Sequence, residues 1–306
     1  MSVAGGRAAT QRQIVRLLRH IVKESSPVTF ASSESRDRAA YAQARAYLLG
    51  FQHQGVTDDL LAYYLSPRPS GLAPKTLADA YRRLLESAQN RNMMASVIAG
   101  AIGGLGTLGP VLHGFAPRLV VRHFVSWQAL LDTIEKRLHP TGKIRRAKGS
   151  LWPLFARAAL SGAAFLAQFS TAAELLSWIR VFDRDHRKRP ALPLLLSQEI
   201  DGFGFALACD FLKELGFVNF AKPDVHVKAI VRALALAPED ADDYTVFKTV
   251  VRIARNCDTT PYNVDKLFWL VGSGKFYAHP ALGRRGRIGT DRAAFIRRAS
   301  RALTAA

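Results

Sequence analysis

Residues 200–211 read IDGFGFALACDF, and KPDVH follows at 222–226. Glycine costs roughly 1 kcal/mol against alanine inside a helix. Yet Gly202 and Gly204 stand one residue apart, directly in front of a good helix-forming run. The pattern predicts helix, tight turn, helix over SQEIDGFGFALACDFLKELG (197–216), with the second helix starting near Phe205. Gly202 is free to take a positive φ, and Gly204 lets the backbone come close to a ligand. Several N–H groups then point out of the turn without helical partners, and together with the helix dipole they attract an anion. Ala206 and Ala208 keep the two helices close. The alternative is a glycine turn between two core helices, and a G-x-G alone does not decide between them.

The second piece is AKPDVHVKAIVRAL (221–234). Pro223 stops the preceding helix from running on. Asp224 then falls at the N-terminus of the next helix, where the dipole favours the ionised carboxylate. Beside bound DNA, a carboxylate there has a use. It stabilises the positive charge that develops on a deoxyribose as its glycosidic bond breaks, and it orients the attacking water. An ordinary aspartate cap is the alternative.

Together the two pieces resemble the helix-hairpin-helix DNA glycosylases of the HhH-GPD superfamily. That family carries an L-P-G-h-G-x-x-x-A hairpin and, about twenty residues on, a V-D-x-H-h segment whose Asp is catalytic. IDGFGFALA matches the hairpin and PDVHV the Asp segment, with twenty residues from Gly204 to Asp224 and His226 at the family's histidine position. The resemblance spans about 35 residues. It implies an all-α, two-lobed glycosylase-like fold with an additional N-terminal helical region. It also implies Asp224 as the catalytic carboxylate and double-stranded DNA carrying a modified or damaged base as the partner. Asp201 stands where the family often has proline. Members that also cleave the strand carry lysine two positions after the second glycine, and that position is Ala206 here. The resemblance therefore implies a monofunctional enzyme that uses water and leaves an abasic site. Some divergent bacterial members act in antiphage defence on bases such as glucosylated hydroxymethylcytosine. A non-catalytic helix-hairpin-helix DNA-binding protein is the rival expectation.

Charge agrees with a polyanionic partner. The 306-residue chain has 43 Lys+Arg against 24 Asp+Glu, a net +19, and a chain this basic usually meets nucleic acid. KIRRAK (143–148) and GRRGRIGTDRAAFIRRASR (283–301) concentrate the excess. Phosphate contacts are accordingly expected from Gly202, Phe203, Gly204, Phe205, Ala206, Lys213, Lys222, His226, Lys228, Lys143, Arg145 and Arg146. Such contacts hold DNA without reading its sequence. Cys209 and Cys257 cannot make a four-Cys iron–sulfur or zinc site within this chain, and both are expected as buried free thiols. No metal or cofactor is expected beyond a structural monovalent cation at the hairpin. A monomer in the cytoplasm, associated with the nucleoid, is the corresponding expectation. No secretory signal is visible, and the uncharged stretch 93–115, with six Gly and a Pro, reads as two short helices around a Gly-rich turn rather than a membrane span.

Helical periodicity covers most of the rest. QRQIVRLLRHIVKE (11–24) is a basic amphipathic helix, and further helices are expected over 36–55, 57–66, 73–92, 126–139, 152–169, 171–186, 192–200, 222–236, 242–257 and 261–274. Thr57 and Ser126 are expected N-caps. The domain expectation is an N-terminal helical region at 1–90 packing with the C-terminal lobe. A helical lobe at 91–221 would end in the hairpin, a lobe at 222–280 would carry Asp224, and a basic segment at 281–306 would follow. A flipped base needs a pocket, for which Asn92, Trp152, Tyr262, Asn263 and Asp265 are candidates, each with core packing or capping as the alternative.

Overall fold

Side-chain caps set where half of the described α-helices begin. Thr57, Thr76, Ser126, Thr171, Asp224, Asp242 and Thr260 each accept a backbone N–H in the first turn that follows. Such a cap is worth about 1 kcal/mol. Thr76 and Asp79 form a reciprocal capping box.

The computed structural model describes residues 33–66, 73–91, 95–276, 286 and 288–305, so the helix expected at 11–24 and the candidate Asn92 lie outside the described residues. Among the described residues the protein is all-α, with no strand beyond a single bridging residue, Lys275. In chain order the helices are α1 (Ser33–Leu49), α2 (Asp58–Leu65), α3 (Leu77–Gln89), α4 (Ala95–Ile98), α5 (Pro117–His123), α6 (Trp127–Leu138) and α7 (Leu151–Ala167). Then come α8 (Ala172–Asp183), α9 (Ala191–Glu199), α10 (Phe205–Glu214), α11 (Val225–Ala233), α12 (Asp243–Asn256), α13 (Pro261–Ser273) and α14 (Arg292–Ala305).

Three expectations are corrected. The helix expected to run to Gly55 stops at Leu49; Gly55, at φ 89°, instead caps a short 3-10 turn. The second short helix expected before 115 is replaced by 3-10 turns. There Gly103, Gly104 and Gly114 take positive φ, which an α-helix excludes. Helix α5 was not expected. Pro117 starts it at the first helical position, where proline loses nothing.

Two sets of helices pack internally. In the first, α3, α5 and α6 lie along α7, and α9 pairs with α10. Helix α7 is buried along most of its length, including Trp152, Phe155, Ala159 and Leu166. Gly162 permits the α3 crossing, since a Cβ there would stand 2.7 Å from a Leu84 methyl, and Tyr81 Oη donates to the Ala159 carbonyl at 2.8 Å. In the second set, α1, α11 and α12 pack around α13, with α2 and α14 outside. Asp37 on α1 is fully buried and accepts from Arg252 Nε at 2.8 Å, Arg252 Nη2 at 2.9 Å and Asn256 Nδ2 at 2.8 Å, all on α12. Of the described helices before residue 90, α1 and α2 join the C-terminal helices, whereas α3 packs on α7 and α10. Phe205 of α10 meets Tyr244 and Phe247 of α12, so the hairpin joins the two sets. No single described helix is long and apolar enough to cross a membrane.

Candidate nucleic-acid interface and catalytic carboxylate

The turn between α9 and α10 is built by α7 beneath it. Gly202 takes φ +76°, and a Cβ there would stand 2.8 Å from the Leu154 carbonyl oxygen. The Asp201 N–H donates to Ser161 Oγ at 2.9 Å, and the Asp201 carboxylate lies 3.7 Å from Arg157. Phe203 N donates back to the Ile200 carbonyl at 3.0 Å, which closes the turn. The Phe203 and Phe205 side chains point into the core; what the hairpin offers a ligand is backbone. Gly204 is the N-cap of α10, is exposed, and has no side-chain cap. The amides of Gly204, Phe205 and Ala206 donate to no described group. Three free donors at a helix N-terminus suit an anionic oxygen.

At the hairpin, where a monovalent cation is expected, Arg91 donates its guanidinium to the Gly202 carbonyl.

The two glycines can be separated by experiment. Gly202→Ala meets both a left-handed φ, costing roughly 1–2 kcal/mol, and the Leu154 carbonyl. It is expected to lower the melting temperature and weaken DNA binding together. Gly204→Ala has ordinary φ and open space around the new methyl. It is expected to leave the melting temperature unchanged and to weaken DNA binding alone, as read by thermal melting and a fluorescence-anisotropy titration.

Asp224 lies where the sequence places it, one residue before α11. Its Oδ1 accepts from His226 N and Val227 N, both at 2.9 Å, and its Oδ2 accepts no hydrogen bond from a described residue. Burial pushes this carboxyl above the ordinary carboxylate value, and the neighbouring Asp265 charge adds to the effect; Val227 N, His226 and Lys222 oppose it. The arrangement leaves one oxygen fixed and one available.

Several expected phosphate contacts are corrected. Lys213 is buried and donates to Asp265 Oδ2 at 2.5 Å. Burial alone would lower its pKa, but the Asp265 and Asp210 carboxylates outweigh burial and raise it. The Lys222 ammonium is taken by Asp210 Oδ2 at 2.9 Å. His226 turns both ring nitrogens inward, and a Cβ on Gly272 of α13 would stand 2.6 Å from its Cβ. Burial lowers the imidazole pKa, so it offers no cation to DNA at neutral pH. Lys228 pairs with Asp243 at 2.7 Å but stays partly exposed. In the 143–148 loop, Arg146 is held by Asp132 and Glu135, while Lys143 and Arg145 are exposed and make no ion pair with a described residue.

The described base-pocket candidates each have contacts within the protein. Trp152 is a core residue set edge-to-face against Phe155. Tyr262 lies under the Lys213 ammonium, 5.6 Å from ring centre to nitrogen. Asn263 Nδ2 donates to Thr259 Oγ1 within its own helix start. Asp265 is buried in its ion pair. Sequence reasoning missed Arg91, Arg157 and Ser161, which hold the turn, because each acts across more than 35 residues of chain. It also missed Asp210, although an acid on the apolar face of α10 is itself a sign of a buried partner. Compared with protein-family models, curated proteins and solved structures, the chain matches none.

Proposed function

We propose that the protein is a monofunctional DNA N-glycosylase that hydrolyses the bond between a modified or damaged base and its deoxyribose. The observation that carries the reading is the half-satisfied Asp224 carboxylate, set twenty residues after a hairpin with three unpaired amides. The grouping of helices into two sets joined by the hairpin supports the two-lobed glycosylase-like fold. The hairpin amides take a backbone phosphate, which fixes the strand. Asp224 Oδ1 stays on its two amides. Oδ2 faces the sugar, balances the charge that grows at C1′, and receives a proton from the attacking water. The C1′–N bond breaks with its electron pair leaving on the base, the water oxygen bonds C1′, and the base takes a proton from solvent. A carboxyl whose proton affinity is raised by burial is a better base for that step than an exposed one. Ala206, where a Schiff-base lysine would stand, supports base loss without strand cleavage.

The second reading is a DNA-binding protein with no chemistry. It is favoured by Asp224 serving as a normal cap for α11. Incubation with duplexes carrying different modified bases, followed by alkali, separates the two. Glycosylase activity leaves alkali-sensitive sites and intact strands before alkali. The binding protein gives none on any duplex. Under both readings DNA affinity falls steeply with salt, linearly in log–log form, with a slope set by the number of phosphates neutralised. A flat salt dependence contradicts both.

A further inference from the structure

A buried chain of charge runs behind Asp224, and the hydrolysis described above does not use it. Asp265 on α13 is 2% exposed. Its Oδ2 accepts from Lys213 Nζ at 2.5 Å and from the backbone N–H of Lys222 at 2.8 Å. The Lys222 ammonium donates to Asp210 Oδ2 at 2.9 Å, which also accepts from Asn90 Nδ2 at 3.2 Å. The Lys222 carbonyl in turn accepts from Asp224 N at 2.8 Å. One residue, Lys222, therefore links the oxygen of Asp265 to the residue that carries the proposed chemistry, through its N–H on one side and its carbonyl on the other.

Burying paired ions costs several kcal/mol for each ion, and apolar side chains of like volume would join these helices at least as well. Adhesion between α10 and α13 does not require a carboxylate here. The geometry points to Asp265 as the positioning residue of the Asp224 site: it holds the backbone N–H of Lys222, whose carbonyl accepts from Asp224 N, and it sets a second buried carboxylate, paired with Lys213, beside that site. The inference rests on the proposed hydrolysis for its kinetic readout and is independent of it for its spectroscopic one.

The charged surroundings are defined. From α10 come Lys213, Asp210 and Glu214, from the loop Lys222, from α11 His226 and Lys228, from α12 Asp243, and from α13 Asp265. Arg292 and Lys275 act on His226. Lys228 and Asp243 neutralise each other. Asp265 is the acid whose charge opposes ionisation of Asp224, while His226 and Lys222 favour it. Removing the Asp265 charge therefore makes Asp224 easier to ionise.

The experiment titrates the Asp224 carboxyl by carbon-13 NMR of aspartate-labelled full-length protein, with the signal assigned by its loss in Asp224→Asn. In Asp265→Asn the midpoint is expected to move to lower pH. The acid limb of the pH–rate profile moves with it, and kcat falls by about 100-fold from mispositioning with KM little changed. Asp265→Asn strands the Lys213 charge and threatens folding, so the double variant Asp265→Asn/Lys213→Met, which removes both charges, is measured beside it and is expected to show the same direction. A midpoint that stays at the wild-type value in the folded variants overturns the proposal, since the Asp265 carboxylate then does not act at the Asp224 carboxyl, and so does an unchanged kcat in a variant whose midpoint has moved, since Asp265 then acts by charge without positioning. If no duplex yields an abasic site, the hydrolysis is refuted while the NMR midpoint still decides the role of Asp265.

Discussion

Asp224→Asn is expected to abolish base release, by at least about 10³-fold, while DNA binding survives. The lower bound follows from what a positioned general base and a charge stabiliser each contribute. Asparagine keeps an oxygen for His226 N and Val227 N, the two bonds that cap α11, so the fold has no reason to fail. Ionised Asp224 also disfavours the folded state. Its folded pKa is raised, by burial first and Asp265 second, so above the unfolded value the folded chain holds its proton longer than the unfolded chain. Stability is then lost as pH rises from the unfolded pKa through the folded one. At neutral pH Asp224→Asn should be no less stable than the wild type, with base release gone. Activity follows the opposite limb and falls as pH drops through the folded pKa, which is raised from the ordinary Asp value. Single-turnover release and thermal melting on the same preparation test both statements. Undiminished release by Asp224→Asn would sink the catalytic assignment, and a melting temperature well below wild type would show that the cap, not the charge, is what this residue supplies.

What the sequence made legible is whatever acts within one or two turns of chain. The start of α10 at Phe205, the caps at Thr57 and Ser126, and the place of Asp224 all follow from neighbours in sequence. Gly202 was also legible as a residue needing positive φ, although the reason it cannot carry a Cβ, the Leu154 carbonyl, comes from 48 residues away. Long-range electrostatics was not legible. Lys213 and Lys222 look like surface cations in FLKELGFVNFAKPD, because nothing local announces that Asp265 and Asp210 meet them. A lysine next to a predicted phosphate site was therefore assigned to DNA when its charge is spent inside the protein. His226 misled for the same reason: the residue that encloses it is Gly272, on another helix. The glycine-rich stretch after α4 failed differently. Its composition is apolar enough for a helix, but successive positive φ values at His113, Gly114 and Phe115 break the chain into short turns.

Asp37→Ala is expected to cost about 3 kcal/mol of stability, the largest single loss anticipated away from the hairpin. Asp37 is fully buried and both its oxygens are engaged, Oδ1 by Arg252 and Oδ2 by Arg252 and Asn256. Removing it leaves the Arg252 guanidinium, raised in pKa chiefly by its hydrogen bond to Asp37, with the Leu236 carbonyl at 2.9 Å as its remaining described hydrogen-bond partner. Breaking a buried pair from one side costs about 3–5 kcal/mol, and because a third of the Arg252 side chain reaches solvent, the lower end applies. The loss matters beyond stability, because Asp37 is what fastens α1 to α12, and α1 also packs on α13, against which α11 and Asp224 are set. A double variant, Asp37→Ala with Arg252→Met, removes the stranded charge and should recover most of the loss. Urea unfolding of the single and double variants tests this. If the double variant is as unstable as the single one, the penalty lies in lost packing of α1 rather than in the unpaired guanidinium. If Asp37→Ala melts with the wild type, α1 is not fastened through this ion pair at all.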